Sequence, residues 1–249
     1  MAYFSHGYLC RSVTNSCDGR REIASAISLR PVARSGMRIS MKIALIHASP
    51  KAADSASGIL LELLASRLPR EAVVLRTALH TPSVSPQALE QLREADLWVF
   101  SLPLYVDSVP GHLLSCLLNL EGLKPKRERR VYGIVNCGFY EGIQAEPALL
   151  LLQNWCRKAG LIWSGGAGIG GGGCLTHFPS IKEGRGPVAG IRKTLQVMAD
   201  SMMQGKQMEN SYVSVGMPRS LYKLAAEMGW RNQIRTNGGR TADLGKQPD

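Results

Sequence analysis

The 249-residue chain is predicted to form an α/β fold, an open parallel sheet of five strands in the order 2-1-3-4-5 with helices on both faces. Three observations point there. Short apolar runs alternate with amphipathic segments over roughly 160 residues, the pattern of repeated βαβ units. Runs such as Leu97-Trp-Val-Phe100 are continuously apolar, which suits strands covered on both faces. Right-handed crossovers leave few topologies, and five strands favour this order over the six-stranded dinucleotide arrangement.

The elements follow in order. The first strand, 41–47, is Met41-Lys-Ile-Ala-Leu-Ile-His47, and a helix over 57–68 places Leu60, Leu61, Leu64 and Leu68 on one face. A second strand is expected at 72–76, then a Pro- and Ser-rich loop and a short helix over 86–94. The third strand is 97–100. Pro110 suits the first turn of a helix carrying Leu113, Leu114, Leu117 and Leu118. The fourth strand is 131–135. The helix over 144–159 aligns Ala145, Ala148, Leu149, Leu152, Trp155, Cys156 and Ala159, and Gly160 stops it. A fifth strand begins near Leu161 and extends toward Ile169. Another helix covers 187–203, and 211–216 reads as a short extra strand or a loop.

The net charge of +11 does not indicate nucleic-acid binding. Residues 1–40 hold six arginines against two acids, net +4, and residues 217–249 hold six basic against three acidic residues, net +3. The core between them is mildly basic. The dense basic run at 124–130 lacks interleaved aromatics and reads as a solvated loop. The six cysteines form no CxxC pair, so a metal site is not expected and reduced thiols in a cytoplasmic setting are. No apolar run reaches the ~18 residues of a membrane span. Residues 1–40 carry no hydrophobic period and are expected to be a disordered extension. A start placed too early is the favoured account, because Met41 opens the first strong strand; a transit peptide or an interaction arm are the other readings. The domain itself is expected at 41–216, with a C-terminal helix and tail at 217–249.

In such a sheet, ligands bind beyond the carboxyl ends of the strands, where the loops after strands one, three and four are neighbours. The first loop, Ser49-Pro-Lys-Ala-Ala-Asp-Ser-Ala-Ser57, runs into a helix N-terminus and suits a phosphate monoester, or else is a capped polar turn. It is not a Gly-x4-Gly-Lys-Ser/Thr nucleotide loop. The second, Ser101-Leu-Pro-Leu-Tyr-Val-Asp-Ser-Val-Pro110, is apolar with an aromatic tip and suits a flat ring system, or else packs under its own loop. The third, Asn136-Cys-Gly-Phe-Tyr-Glu-Gly142, offers backbone amides close to a ligand. Cys137 lacks a histidine partner nearby and reads as a structural thiol. The run Gly165–Gly173 contains a Gly-x-Gly-x-x-Gly spacing, but it follows strand five and reads as a flexible rim loop. His177 and Phe178 beyond it are candidates for lining a substrate pocket, although an ordinary loop is the simpler reading. His47 reads as a packed histidine beside the first loop.

Together these three loops resemble those of the flavodoxin-like NAD(P)H-dependent FMN reductases, including the quinone-reductase-like members. The resemblance spans about 41–238 and includes the tail Pro218-Arg-Ser-Leu-Tyr-Lys-Leu-Ala-Ala-Glu-Met-Gly-Trp230. It implies non-covalent FMN. Ser49, Lys51, Ser55 and Ser57 match the family's phosphate loop. Pro103, Leu104, Tyr105 and Val106 match the segment beside the isoalloxazine. Asn136, Cys137, Gly138, Phe139 and Gly142 match the third flavin loop. Ala56 stands where many relatives carry Asn, and Ala48 replaces a common Gly. The function implied is an oxidoreductase passing electrons from NAD(P)H, as co-substrate, through FMN to a small acceptor such as a quinone, a nitro compound or a flavin. No side-chain acid or base is required, so no catalytic residue is assigned. A homo-oligomer is expected, with no metal, no nucleic acid and no membrane span. An FMN-binding electron carrier and an FMN-free interaction domain of the same fold remain the alternatives.

A chain beginning at Met41 is expected to keep the thermal unfolding midpoint of the full chain. A clear drop by differential scanning calorimetry would show that residues 1–40 pack on the domain.

Overall fold

A computed structural model describes residues 41–123, 128–175 and 186–245. The extension expected at 1–40, His177, Phe178, and residues 124–127 of the basic run lie outside the described residues.

The elements are β1 (Lys42–His47), α1 (Ala56–Ala65), β2 (Val73–Ala78), α2 (Pro86–Glu94), β3 (Leu97–Pro103), α3 (Gly111–Glu121), β4 (Arg130–Asn136), a 3-10 turn (Gly142–Ala145), α4 (Glu146–Lys158), β5 (Ile162–Ile169), α5 (Gly172–Leu175), α6 (Ala189–Met203), β6 (Ser211–Val213), α7 (Arg219–Thr236) and a 3-10 turn (Thr241–Gly245). The sheet order is β2-β1-β3-β4-β5-β6. Every pairing is parallel. This is the flavodoxin-like doubly wound order with one additional edge strand. The segment that read as either strand or loop becomes β6, whose three residues pair with Ala167, Gly168 and Ile169.

The parallel strands alternate their side chains between two cores. On one face Ala44, Ile46, Trp98, Phe100, Val131 and Val135 pack under α2, α3 and α4. On the other, Ile43, Leu45, Val99, Tyr132 and Ile134 pack under α1 and α6. The central strands β3 and β4 are almost wholly buried, as their continuous apolar runs require.

The buried face of α3 is Leu113, Cys116, Leu117 and Leu120; Leu114 and Leu118 are exposed, because 3.6-residue spacing carries them off the core stripe. Two expectations are corrected. Helix α1 ends at Ala65, so Leu68 packs from beyond the helix. The glycine run is not a flexible loop over its length. Gly165 to Gly168 lie within β5, and Gly172 and Gly173 open α5. Close packing explains these glycines. A Cβ on Gly166 would stand 2.6 Å from Leu149 Cδ2, and one on Gly170 would stand within 3 Å of the backbone at residues 140–142.

The same crowding fixes Gly142. A Cβ there would lie 2.5 Å from both Gly168 O and Val213 O, so this glycine seats the 3-10 turn against β5 and β6. Gly142→Ala should lower stability by about 1–3 kcal/mol through overpacking, read from denaturant unfolding.

Candidate functional site

The carboxyl ends of β1, β3 and β4 are stitched together by polar groups. Ala48 N donates to Ser101 O at 2.9 Å. The buried Ser101 hydroxyl donates to Ser57 O at 2.9 Å. Asn136 Nδ2 donates to Ser57 Oγ at 2.8 Å and to Leu102 O at 3.0 Å. Leu104 N returns a bond to Asn136 O at 2.7 Å. The loops that follow these strands therefore converge on one cleft of about 340 Å³.

At its polar end the cleft is lined by Ser49, Lys51, Asp54, Ser55, Ala56 and Ser57. Ser55 is the N-cap of α1, its hydroxyl accepting from Gly58 N at 3.1 Å. The amides of Ala56 and Ser57 precede the first intrahelical bond, so this end of the cleft carries the positive pole of the helix. Asp54 adopts the left-handed backbone (φ 49°), and Lys51 Nζ donates to its carbonyl at 2.8 Å. Two histidines brace the loop from behind. His47 Nε2 lies 2.7 Å from Ser55 Oγ. His80 Nδ1 lies 2.6 Å from Ser49 O, and because a carbonyl only accepts, that nitrogen carries the proton. Burial, and secondarily the charge on His80, hold His47 below the ordinary imidazole range.

The other end is lined by Pro103, Leu104, Tyr105, Asn136, Cys137 and Gly138, with Gly172 and Gly173 of α5 alongside. A Cβ on Gly138 or Gly173 would meet nothing within 4 Å, while Gly138 O accepts from the Tyr222 hydroxyl at 2.5 Å. Tyr105 is half-exposed at the rim. Cys137 is buried, its thiol weakly bonded to Phe139 O and Glu141 O. Burial pushes its pKa up, which opposes a nucleophilic role.

The structure thus gathers Ser49, Lys51, Ser55, Ser57, Pro103, Leu104, Tyr105, Asn136, Cys137 and Gly138 at one cleft. Three expected residues are not among its lining. Val106 points to solvent at 98% exposure, Phe139 is exposed, and Gly142 is packed against β5 and β6. Asn136 spends its amide on Ser57 and Leu102, so its side chain braces the loops. Sequence reasoning missed Ser101 as a brace, since a serine in an apolar strand carries no signal of its partner. It also missed Gly172 and Gly173, whose signal was the glycine run itself.

Tyr105 and Ser108 exchange backbone hydrogen bonds at 3.0 Å in each direction, closing a tight turn. Its central residues Val106 and Asp107 both have positive φ, 48° and 56°. Such turns favour Asn-Gly, and a β-branched residue there is strained.

No protein-family model matches the chain, and no curated protein matches it in sequence. Solved structures do. A WrbA-like flavodoxin from Agrobacterium tumefaciens is 16% identical with a TM-score of 0.45, covering 67% of this chain and 99% of its own. An azoreductase from Bacillus anthracis is 16% identical with a TM-score of 0.41, covering 66% and 99%. A flavodoxin from Streptococcus pneumonia is 10% identical with a TM-score of 0.46, covering 66% and 99%.

Val106→Asn should relieve the turn and raise stability by about 1 kcal/mol, the lower end of the strain stored by such a conformation. An unchanged denaturation midpoint would show that this backbone carries no strain.

Proposed function

We propose that the cleft binds FMN and that the protein passes electrons from NAD(P)H to a small acceptor such as a quinone, a nitro compound or a flavin. The observation that carries this reading is the polarity of the cleft. Hydroxyls, a lysine and a helix N-terminus stand at one end, and an apolar wall with an aromatic rim at the other. That donor set suits a phosphate monoester joined to a flat ring. FMN would supply the electron-transfer chemistry between the nicotinamide and the acceptor.

The chain's own residues then have distinct tasks. Ser55, the amides of Ala56 and Ser57, and Lys51 would hold the phosphate, with the charge on Lys51 set against that of Asp54. Leu104 and Tyr105 would cover the ring and exclude water. The Gly138 amide would face the ring's polar edge and stabilise negative charge there, its carbonyl being held by the Tyr222 hydroxyl. No acid or base is needed, and neither Cys137 nor His47 is given one of these roles.

Helix α7 bears on assembly. It has no buried residue, and Leu221, Leu224 and Met228 form an exposed stripe. Its first turns are tied to the third loop. Arg219 pairs with Glu141 at 2.8 Å, and the Tyr222 hydroxyl donates to Gly138 O at 2.5 Å. A second copy of the chain would cover this stripe beside the cleft, consistent with the homo-oligomer expected from the family resemblance.

Two measurements test the proposal. Replacing Ser55 by Ala, which leaves the Asn136–Ser57 tie intact, should weaken FMN binding by about tenfold or more, since a hydrogen bond to a charged group contributes ~1.5–3 kcal/mol. Fluorescence titration into the apo-protein checks it, and wild-type protein that fails to quench FMN would remove flavin from the account. Leu224→Glu with Met228→Glu should convert an oligomer into monomer in sedimentation velocity. A wild-type chain that sediments as monomer would show that α7 does not mediate assembly.

A further inference from the structure

The Ser55 hydroxyl is over-subscribed in a way that assigns a role to His47. Its oxygen already accepts from Gly58 N at 3.1 Å, and His47 Nε2 lies at 2.7 Å. A serine hydroxyl has one proton and two lone pairs. If Nε2 is unprotonated, the hydroxyl proton must point back at the imidazole, and Ser55 has no donor for a ligand. If Nε2 carries a proton, both lone pairs are filled from behind, and the only remaining direction for the hydroxyl proton is the cleft.

We infer that His47 is a positioning residue: with an anionic phosphate in the cleft, it donates from Nε2 to Ser55 and so aims the Ser55 hydroxyl proton at a phosphate oxygen. This deepens the FMN reading and rests on it. The imidazole does not line the cleft itself; it acts through Ser55. The groups around it are consistent with that task. The His80 ring meets it edge-on at 4.7 Å and is anchored to Ser49 O at the other end of the same loop. On the far side, Glu62 and Arg76 share a small cavity with His47 but pair with each other at 2.7 Å. Gly58, whose amide completes the set, presses its Cα side toward both: a Cβ there would lie 3.2 Å from Ser55 Oγ and 3.5 Å from His47 Cε1. The His47–Ser55–Gly58 contact therefore leaves little room for rearrangement.

The relay predicts a preference for phosphorylated ligands that depends on a donor at this one nitrogen. His47→Gln places an amide donor near Nε2 and should keep FMN affinity within a few-fold of wild type. His47→Leu should lose about tenfold or more. Riboflavin, which lacks the phosphate, should bind all three proteins alike, which also reports that the Leu variant is folded. In nitrogen NMR of labelled histidine, Nε2 of His47 should be protonated when inorganic phosphate or FMN is bound. The relay is overturned if His47→Leu binds FMN as wild type does, if riboflavin affinity falls in parallel, or if Nε2 stays unprotonated with either anion bound. If FMN fails to bind while inorganic phosphate still yields protonated Nε2, the relay stands and the flavin reading falls.

Discussion

The bond from Asn136 Nδ2 to Ser57 Oγ is the contact on which the cleft depends. It joins the end of β4 to the first turn of α1 across β3. Ser101 completes the tie by donating to Ser57 O. All three side chains are buried, so none can exchange its partner for water without leaving a buried polar group unpaired. Three loops of different length and composition are thereby held in one register, and a cleft exists between them.

The two apolar cores make this polar tie possible. The central strands are covered on both faces, and their ends are rigid because the strands beneath them are. Glycines serve the same purpose near β5, where Gly166, Gly168 and Gly142 allow backbone and side chains to approach closer than a Cβ permits. The result is a stiff platform, and the irregular backbone stands above it. Asp54, Val106 and Asp107 all have positive φ without being glycine, and all lie in the loops after β1 and β3. Of these, Asp54 lines the cleft, a position where a sparsely populated conformation is maintained against local preference.

Electrostatics at the cleft follow from the same construction. The helix N-terminus, Lys51 and the donors of the first loop favour an anion. Around it, burial suppresses charge. It holds His47 below its usual range and raises the thiol of Cys137. The cleft presents fixed dipoles and the Lys51 cation, with Asp54 beside it. That arrangement suits a protein which orients a cofactor and leaves the chemistry to it.

Much of this was legible in the sequence. Apolar patterning located β1, β4 and α4 to within about two residues and α2 at its observed bounds, whereas β3 runs on to Pro103, past the expected end at residue 100. The three loops stood out because their residues are unusual at strand ends, and ten of the thirteen residues singled out there line one cleft. What the sequence could not specify was which of two uses each polar or small residue serves. Asn136 is expected from the family resemblance as a ligand contact, and only the distance to Ser57 shows a brace. Gly142 reads as a close approach to a ligand, and only the packing of β5 and β6 shows that the close approach is to backbone. The glycine run carried two expectations, the end of the fifth strand and a rim loop, because glycine weakens any strand pattern. Burial against Leu149 and the 3-10 turn made it β5, since contacts between residues distant in sequence override local propensity.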